Sequence, residues 1–445
     1  MNDLFAARSQ MGLSLGFHII FACIGMVMPY FMAVSHYKWL RTGSPVYKNI
    51  TKAWSKGVAI FFVTGAVSGT MLSFELGLLW PGFMKHAGPI IGMPFSLEGT
   101  AFFIEAIAIG FFLYGWERLN KWFHWFTGVV IGLSGLASGI LVVAANSWMN
   151  TPAGFNYSNG IFSNIHPFGA MFNPAWFPEA LHMILAAFVA TGFAVAGVHA
   201  IMVYKGKNMD FHRRSFHIAL SFAAVAAIIQ PFSGDIAARS VAAHQPAKLA
   251  AMEAHFKTGD SAPLIIGGIP DTKDQTVKYG IAIPGMLSFL VHDNMHTPVT
   301  GLDKIPPDDQ PPVAVVHYSF QLMVALGMFL MVLGIIYLLG SWKNKSWLRA
   351  GWFLKLCMAA IPMGFIAIEA GWIVTEVGRQ PWIIYGFMRT ADAVTPMPGI
   401  NYTFYIFTGV YLVLSAMVIL LLYRQIKMVP YLYDTSPGPR KEGQE

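Results

Sequence analysis

An all-α, polytopic membrane fold with about nine transmembrane helices is the class this chain predicts, on three observations. Only 11% of its residues are charged while 55% are hydrophobic, against a charged fraction of about a quarter in soluble domains. Nine windows approach the roughly 20 apolar residues that a membrane-crossing helix needs. The Lys and Arg residues gather in alternate short loops, as they do in chains that thread a bilayer repeatedly. Spread in this way, the net charge of +7 reflects topology and gives no basic patch for a nucleic acid.

The windows fall at about residues 10–35, 55–78, 94–116, 122–146, 179–204, 214–232, 313–340, 352–376 and 402–425. Residues 1–232 thus hold helices one to six, 233–312 form one long loop, 313–428 hold helices seven to nine, and 429–445 form a polar tail. Basic residues mark the loop with Lys38, Arg41, Lys48 and Lys52, the one with Lys205, Lys207, Arg213 and Arg214, and the one with Lys343, Lys345 and Arg349. These loops are expected to be cytoplasmic. The loops at 79–93 and 147–178 carry almost no Lys or Arg, so the N-terminus is expected outside and the C-terminus in the cytoplasm. The first window lacks a basic leader and a small-residue cleavage site, and reads as a retained helix. Cys23 and Cys357 fall inside apolar windows with no CxxC or CxxCH pattern, which predicts buried thiols rather than disulfides or covalent haem attachment. The long loop lies outside by the alternation and holds an amphipathic helical piece at AAHQPAKLAAMEAHFK. Loops of this length without a span of their own usually carry function or are disordered.

Ionisable residues within a bilayer are costly and mark functional positions or tight pairs. In IEAGWIVTEVGRQPW, residues 368–382, Glu369 and Glu376 are seven apart and so lie on nearly one helix face. Arg379 is placed to pair with Glu376. Glu98 and Glu105 repeat the seven-residue spacing in LEGTAFFIEA, which suits a proton path, a ligand site or paired structural carboxyls. His18 in LGFHII is about eight residues, or roughly 12 Å, from the outer end of its window. As a neutral imidazole it is either an iron ligand or a bonded core histidine. His182 in EALHMI and Met323 in FQLMVALG enter from the same side, and imidazole with thioether is an axial pair for low-spin haem. With 25 Met in the chain, packing is the alternative for Met323. His199, His217 and His317 read as structural. By the expected topology His18, Glu98, His182, Met323 and Glu376 share the outer half of the membrane, as a cofactor site near that face would require.

Taken together, EAGW followed by GRQPW, EGTAFFIE, FHII, QPAKLAAMEA and the nine-span layout resemble subunit I of the cytochrome bd-type quinol oxidases over essentially the whole chain. The resemblance implies that His182 and Met323 are the axial ligands of a low-spin haem b, that Glu376 ligates a high-spin haem b beside Arg379 and Trp382, and that His18 ligates the oxygen-reducing haem d or a third haem b. It implies Glu98 beside that iron, Glu105 on the proton route, and Lys248 and Glu253 with quinol in the loop called the Q-loop. The implied partners are subunit II, a small single-span subunit, quinol, dioxygen and the lipid bilayer of a bacterial or archaeal cytoplasmic membrane, with no nucleic acid. The chain departs from some relatives in the seven-residue spacing of Glu98 and Glu105, in Gln321 where they have arginine, and in a short Q-loop. Two other classes share parts of the pattern. A proton-coupled transporter would use Glu98, Glu105 and Glu369 as a relay, and a haem quinol reductase would lack the oxygen chemistry.

Overall fold

Nine helical stretches long and apolar enough to cross a membrane stand among the described residues of the computed structural model, which are 2–207, 209–343 and 346–432. Lys345 and the expected polar tail from 433 onward lie outside the described residues. Helix α1 (Asp3–Thr42) starts where Asn2 Oδ1 accepts from Phe5 N at 2.9 Å, and stops where Gly43 turns to φ +69°, a backbone region that suits glycine. Helices α2 (Pro45–Leu79) and α3 (Pro81–Tyr114) each open on proline, whose missing N–H would have no helical partner there. Helix α4 (Lys121–Asn150) is capped by Asn120, and a hairpin of β1 (Asn156–Ser158) and β2 (Ile161–Ser163) leads through the short α5 (Pro167–Met171) into α6 (Trp176–Tyr204).

After α7 (Met209–His244) and the short α8 (Pro246–Met252), the long loop folds into two nested antiparallel hairpins. The outer one pairs β3 (Leu264–Ile266) with β6 (Ile281–Ile283), and the inner one pairs β4 (Ile269–Asp271) with β5 (Thr276–Lys278). Then come α9 (Met286–His292), α10 (Val313–Trp342), α11 (Gly351–Ala359) and α12 (Met363–Val377), the pair β7 (Trp382–Ile384) and β8 (Met388–Arg389), α13 (Thr390–Ala393) and α14 (Ile400–Leu432).

Small residues let the central helices approach closely, as membrane packing requires. A Cβ at Gly192 of α6 would stand 2.6 Å from Ala223 of α7, and one at Gly334 of α10 would stand 3.0 Å from the Cα of Ala224. The main core gathers Phe31, Trp54, Phe193, Leu220, Tyr337 and Phe353 around these contacts.

The helices differ from the sequence expectation in four ways. The sixth does not end near 232 but runs on through Pro231 to His244. Its extension is polar enough to leave the apolar region as helix, with an Asp235–Arg239 pair at 2.9 Å on one face. The eighth is two pieces, α11 and α12, separated at 360–362, where Pro362 disfavours a helical residue before it. The helical piece expected at AAHQPAKLAAMEAHFK is split at Gln245, with Pro246 starting the new helix α8. Helix α1 begins seven residues before the apolar window, so His18 lies about 22 Å along the helix from Asp3.

Candidate functional site

The C-terminal end of α12 meets the C-terminal end of α4, the first turn of α6 and α8 of the long loop in one hydrogen-bonded network. Arg379, only 1% exposed, donates through Nη2 to Glu376 Oε2 at 2.5 Å and through Nη1 to Asn150 Oδ1 at 3.1 Å. Asn146 Nδ2 donates to the other oxygen of Glu376 at 2.5 Å. Lys248 Nζ donates to Asn150 Oδ1 at 3.0 Å, and Asn150 Nδ2 donates to Glu179 Oε1 at 3.0 Å. Gly378, just before Arg379, leaves the room that the Lys248 stem occupies, since a Cβ there would stand 2.8 Å from Lys248 Cγ. Burial pulls the Lys248 ammonium down to about 7, with the carboxylate of Glu179 opposing the shift.

The two Q-loop candidates are therefore not brought together. Lys248 points into the network of Glu376, while Glu253 is buried elsewhere with its Oε2 unpartnered, and burial pushes its carboxyl up to about 8. Trp382 also stands outside the network. Its ring lies 4.9 Å beneath the guanidinium of Arg389, which pairs with Asp309.

His182 and Met323 sit on α6 and α10, and α12 packs against both helices. His182 Nδ1 is 3.1 Å from Ser233 Oγ, and Gln230 Nε2 is 3.2 Å from the ring nitrogens. A Cβ on Gly234 would stand 3.5 Å from this imidazole, and one on Gly371 would stand 3.0 Å from Met323 Sδ. Gln321, two residues before Met323, holds the outer hairpin of the loop: its Oε1 accepts from Gly267 N at 3.1 Å and its Nε2 donates to Ile265 O at 3.0 Å. One turn earlier, His317 Nδ1 lies 2.8 Å from Met252 O. The loop is thus tied to the helix that carries Met323.

The third group lies between α1, α2, α3 and α4. His18 Nδ1 is 2.9 Å from Ser68 Oγ, and a Cβ on Gly69 would stand 3.1 Å from the same ring. Glu98 Oε1 accepts from Ser138 Oγ at 3.1 Å, and Glu105 faces Gly135, three residues earlier on α4. Both carboxylates thus point at α4, as their spacing predicts. Glu369 parts from Glu376: its Oε2 would be 3.1 Å from a Cβ on Gly16 of α1, two residues from His18. Helix α12 therefore carries one carboxylate into each group.

The sequence reading missed Asn146, Asn150, Glu179, Gln230 and Glu75. Glu75 is 1% exposed, and its Oε1 accepts from Gln10 Nε2 at 3.1 Å and Ser14 Oγ at 2.8 Å. Its signal was present, because a lone Glu in the apolar stretch SFELG is itself a flagged position. The neutral amides give no such signal.

Among the described residues no group of three or more His, Cys, Asp or Glu could hold a bare metal ion. Single imidazole and thioether donors suit axial ligation of haem iron instead, and glycines stand beside His18, His182 and Met323 where a Cβ would touch the donor residue. The donor set fits haem. The chain matches the profile of the family described as cytochrome bd terminal oxidase subunit I over residues 6–430. It belongs to that family. It is 37% identical to a chain of the bd oxidase from Geobacillus thermodenitrificans, superposes on it with a TM-score of 0.90, and covers 98% of that chain with 96% of its own. A Bacillus subtilis protein provisionally named a cytochrome bd menaquinol oxidase subunit I is 36% identical over 95% of this chain and 96% of its own. A B. subtilis cytochrome bd ubiquinol oxidase subunit 1 is 31% identical over 96% of this chain and 94% of its own. The family is one of multi-pass, haem-containing bacterial membrane oxidases in which subunit I partners a subunit II.

Proposed function

We propose that this chain oxidises quinol at the membrane face carrying 233–312 and supplies the haem sites at which dioxygen is reduced to water. The single observation that carries the proposal is the hydrogen-bonded chain from Lys248 of the Q-loop through Asn150 and Arg379 to Glu376. It joins the segment assigned to quinol directly to a candidate iron ligand.

In this reading His182 and Met323 hold a low-spin haem b, Glu376 holds a high-spin haem b, and His18 holds haem d or a third haem b. When bound, these groups supply the electron transfer and the oxygen chemistry. The protein fixes the ligands and keeps the path dry. Asn146 and Arg379 each bond one oxygen of Glu376 and so hold its carboxylate in a single orientation. Lys248 and Glu253 serve quinol, and Trp382 borders the cofactor region. Glu105 passes protons toward Glu98 and the His18 site, about 10 Å apart along α3 by the helical rise. The Q-loop and the N-terminus lie outside and the C-terminus in the cytoplasm, with a subunit II and a small single-span subunit completing the enzyme. Oxidising two quinols releases four protons outside, and reducing one dioxygen takes up four from the cytoplasm. About one charge therefore crosses per electron, opposed by roughly 2.3 kcal/mol per 100 mV, and no pumping element is required. A proton-coupled transporter would account for the buried carboxylates but not for the imidazole and thioether set against Gly234 and Gly371.

The test is Met323→Leu, which nearly conserves volume. The reduced-minus-oxidised spectrum should lose the low-spin component while the other two haem components remain. A low-spin spectrum that survives unchanged defeats the assignment.

A further inference from the structure

At the opposite end of the bundle from the Glu376 network, α1, α7 and α10 part around an open cavity of about 250 Å³. Its lining divides by chemistry. Ser221, Tyr337 and His217 form a polar floor, with Ser221 Oγ 2.9 Å and His217 Nδ1 3.2 Å from the Tyr337 hydroxyl. Lys38 and Ser341 stand exposed at the mouth, while Val34, Ile218 and Phe222 make an apolar wall. Lys38 is the one cation of the lining, Arg213 and Arg349 stand beyond the lining within electrostatic reach of His217, and no acidic residue lines the cavity among the described residues.

Other cations of this face lie against partners outside the cavity lining. Lys48 and Lys121 lie over the ring of Trp39, Lys52 lies over Trp116, and Arg214 is paired with Asp210 at 2.8 Å. Lys38 likewise lies 5.5 Å over the Tyr47 ring, and it is the one of these that also lines the cavity. Around this cavity a lysine, hydroxyls and an apolar wall converge on one space at the edge of the membrane-spanning region.

We propose that the cavity binds the phosphodiester headgroup of an anionic phospholipid. The cations complement its charge, the hydroxyls and the imidazole face its oxygens, and an acyl chain continues along Val34 and Phe222 into the bilayer. Basic pockets between transmembrane helices recognise anionic headgroups through these same terms, worth about a fivefold change in affinity per cation. A soluble phosphate would gain nothing from the apolar wall.

The test uses the complete purified enzyme in bilayers containing trace spin-labelled phosphatidylglycerol or phosphatidylcholine, and reads the immobilised fraction of each. Wild type should prefer the glycerol lipid. Lys38→Gln and Arg349→Gln should each lower that preference about fivefold. Tyr337→Phe should weaken it further, and Lys38→Arg should retain it. Lys121→Gln, on the same face but away from the cavity, should leave it intact. These positions, apart from Tyr337, are exposed or conservatively changed, so loss of folding does not mimic the result. Equal immobilisation of the two lipids, an unchanged preference in the Lys38→Gln/Arg349→Gln double variant, or an equal loss in Lys121→Gln overturns the proposal. Displacement of the lipid by millimolar inorganic phosphate would also overturn it, by showing a site for the free ion.

Discussion

Helix α12 delivers Glu376 and Glu369 to two regions that treat their polar groups in opposite ways. Around Glu376, Arg379, Asn146, Asn150, Lys248 and Glu179 are bonded into one network drawn from four elements. Around His18, each candidate has one hydroxyl partner or none: Ser68 for His18, Ser138 for Glu98, and for Glu105 and Glu369 no hydrogen bond among the described residues. A densely bonded network in low dielectric holds its members rigidly, although Arg379 Nε is buried there without a partner among the described residues. Sparsely bonded carboxylates in a membrane are costly and persist where protons or ions pass. The contrast therefore separates a densely bonded end, where α8 of the long loop docks, from a sparsely bonded one; on the proposed function the first orients a ligand and the second exchanges protons.

The largest effect that would sharpen this contrast is on folding. Asn150→Ala strips partners from Arg379, Lys248 and Glu179 at once, at about 1–3 kcal/mol for each buried group left unsatisfied. Ser138→Ala removes only one bond to Glu98. Thermal unfolding of the purified enzyme should show a clearly larger drop in Tm for Asn150→Ala. Equal drops would mean that the two regions are not organised differently.

A smaller effect is expected on turnover. Lys248→Ala should cut quinol oxidation by about tenfold, the equivalent of one charge-assisted hydrogen bond. Oxygen reduction from an artificial one-electron donor should be spared. Equal loss of both activities would make Lys248 structural only.

The smallest effect is a pH dependence of Q-loop docking. Glu253 is raised from 4.5 to about 8 by burial, so the docked loop holds its proton where the undocked loop has lost it. Docking is then strongest below pH 4.5 and weakens as pH rises through 8. Lys248 has the opposite sign: lowered from 10.5 to about 7, it penalises docking below pH 7 and less so as pH rises toward 10.5. Between pH 5 and 7 the Glu253 contribution dominates. Limited proteolysis of 233–312 should accelerate across that range in wild type and become flat in Glu253→Gln. An unchanged slope in the variant would remove Glu253 as the source.

The nine spans were legible because twenty apolar residues in a row admit few other structures. Glu98 and Glu105 on one face were legible from helical period alone. The run of α7 past Pro231 to His244 was not, because its last turns are polar and resemble loop. The break before Met363 was signalled by Pro362 but masked by apolar residues on both sides. The network around Glu376 was the least legible part. Asn150 and Arg379 are 229 residues apart, and Lys248 reaches Asn150 across 98. Nothing local marks a neutral asparagine as the hub of three charged groups, or a loop lysine as buried. Gln321 likewise shows its use only once the hairpin at Ile265 and Gly267 is folded against it.

The central claim is that the sparsely bonded region around His18 carries the protons for oxygen reduction. Its most direct test is proton uptake, followed with a pH-indicating dye, when fully reduced Glu105→Ala enzyme is mixed with oxygen in a single turnover. Uptake should slow by about two orders of magnitude or more, the usual loss when a positioned acid–base group is removed, while the bound haems retain their spectra. Uptake at the wild-type rate would place the proton path away from α3 and contradict the account.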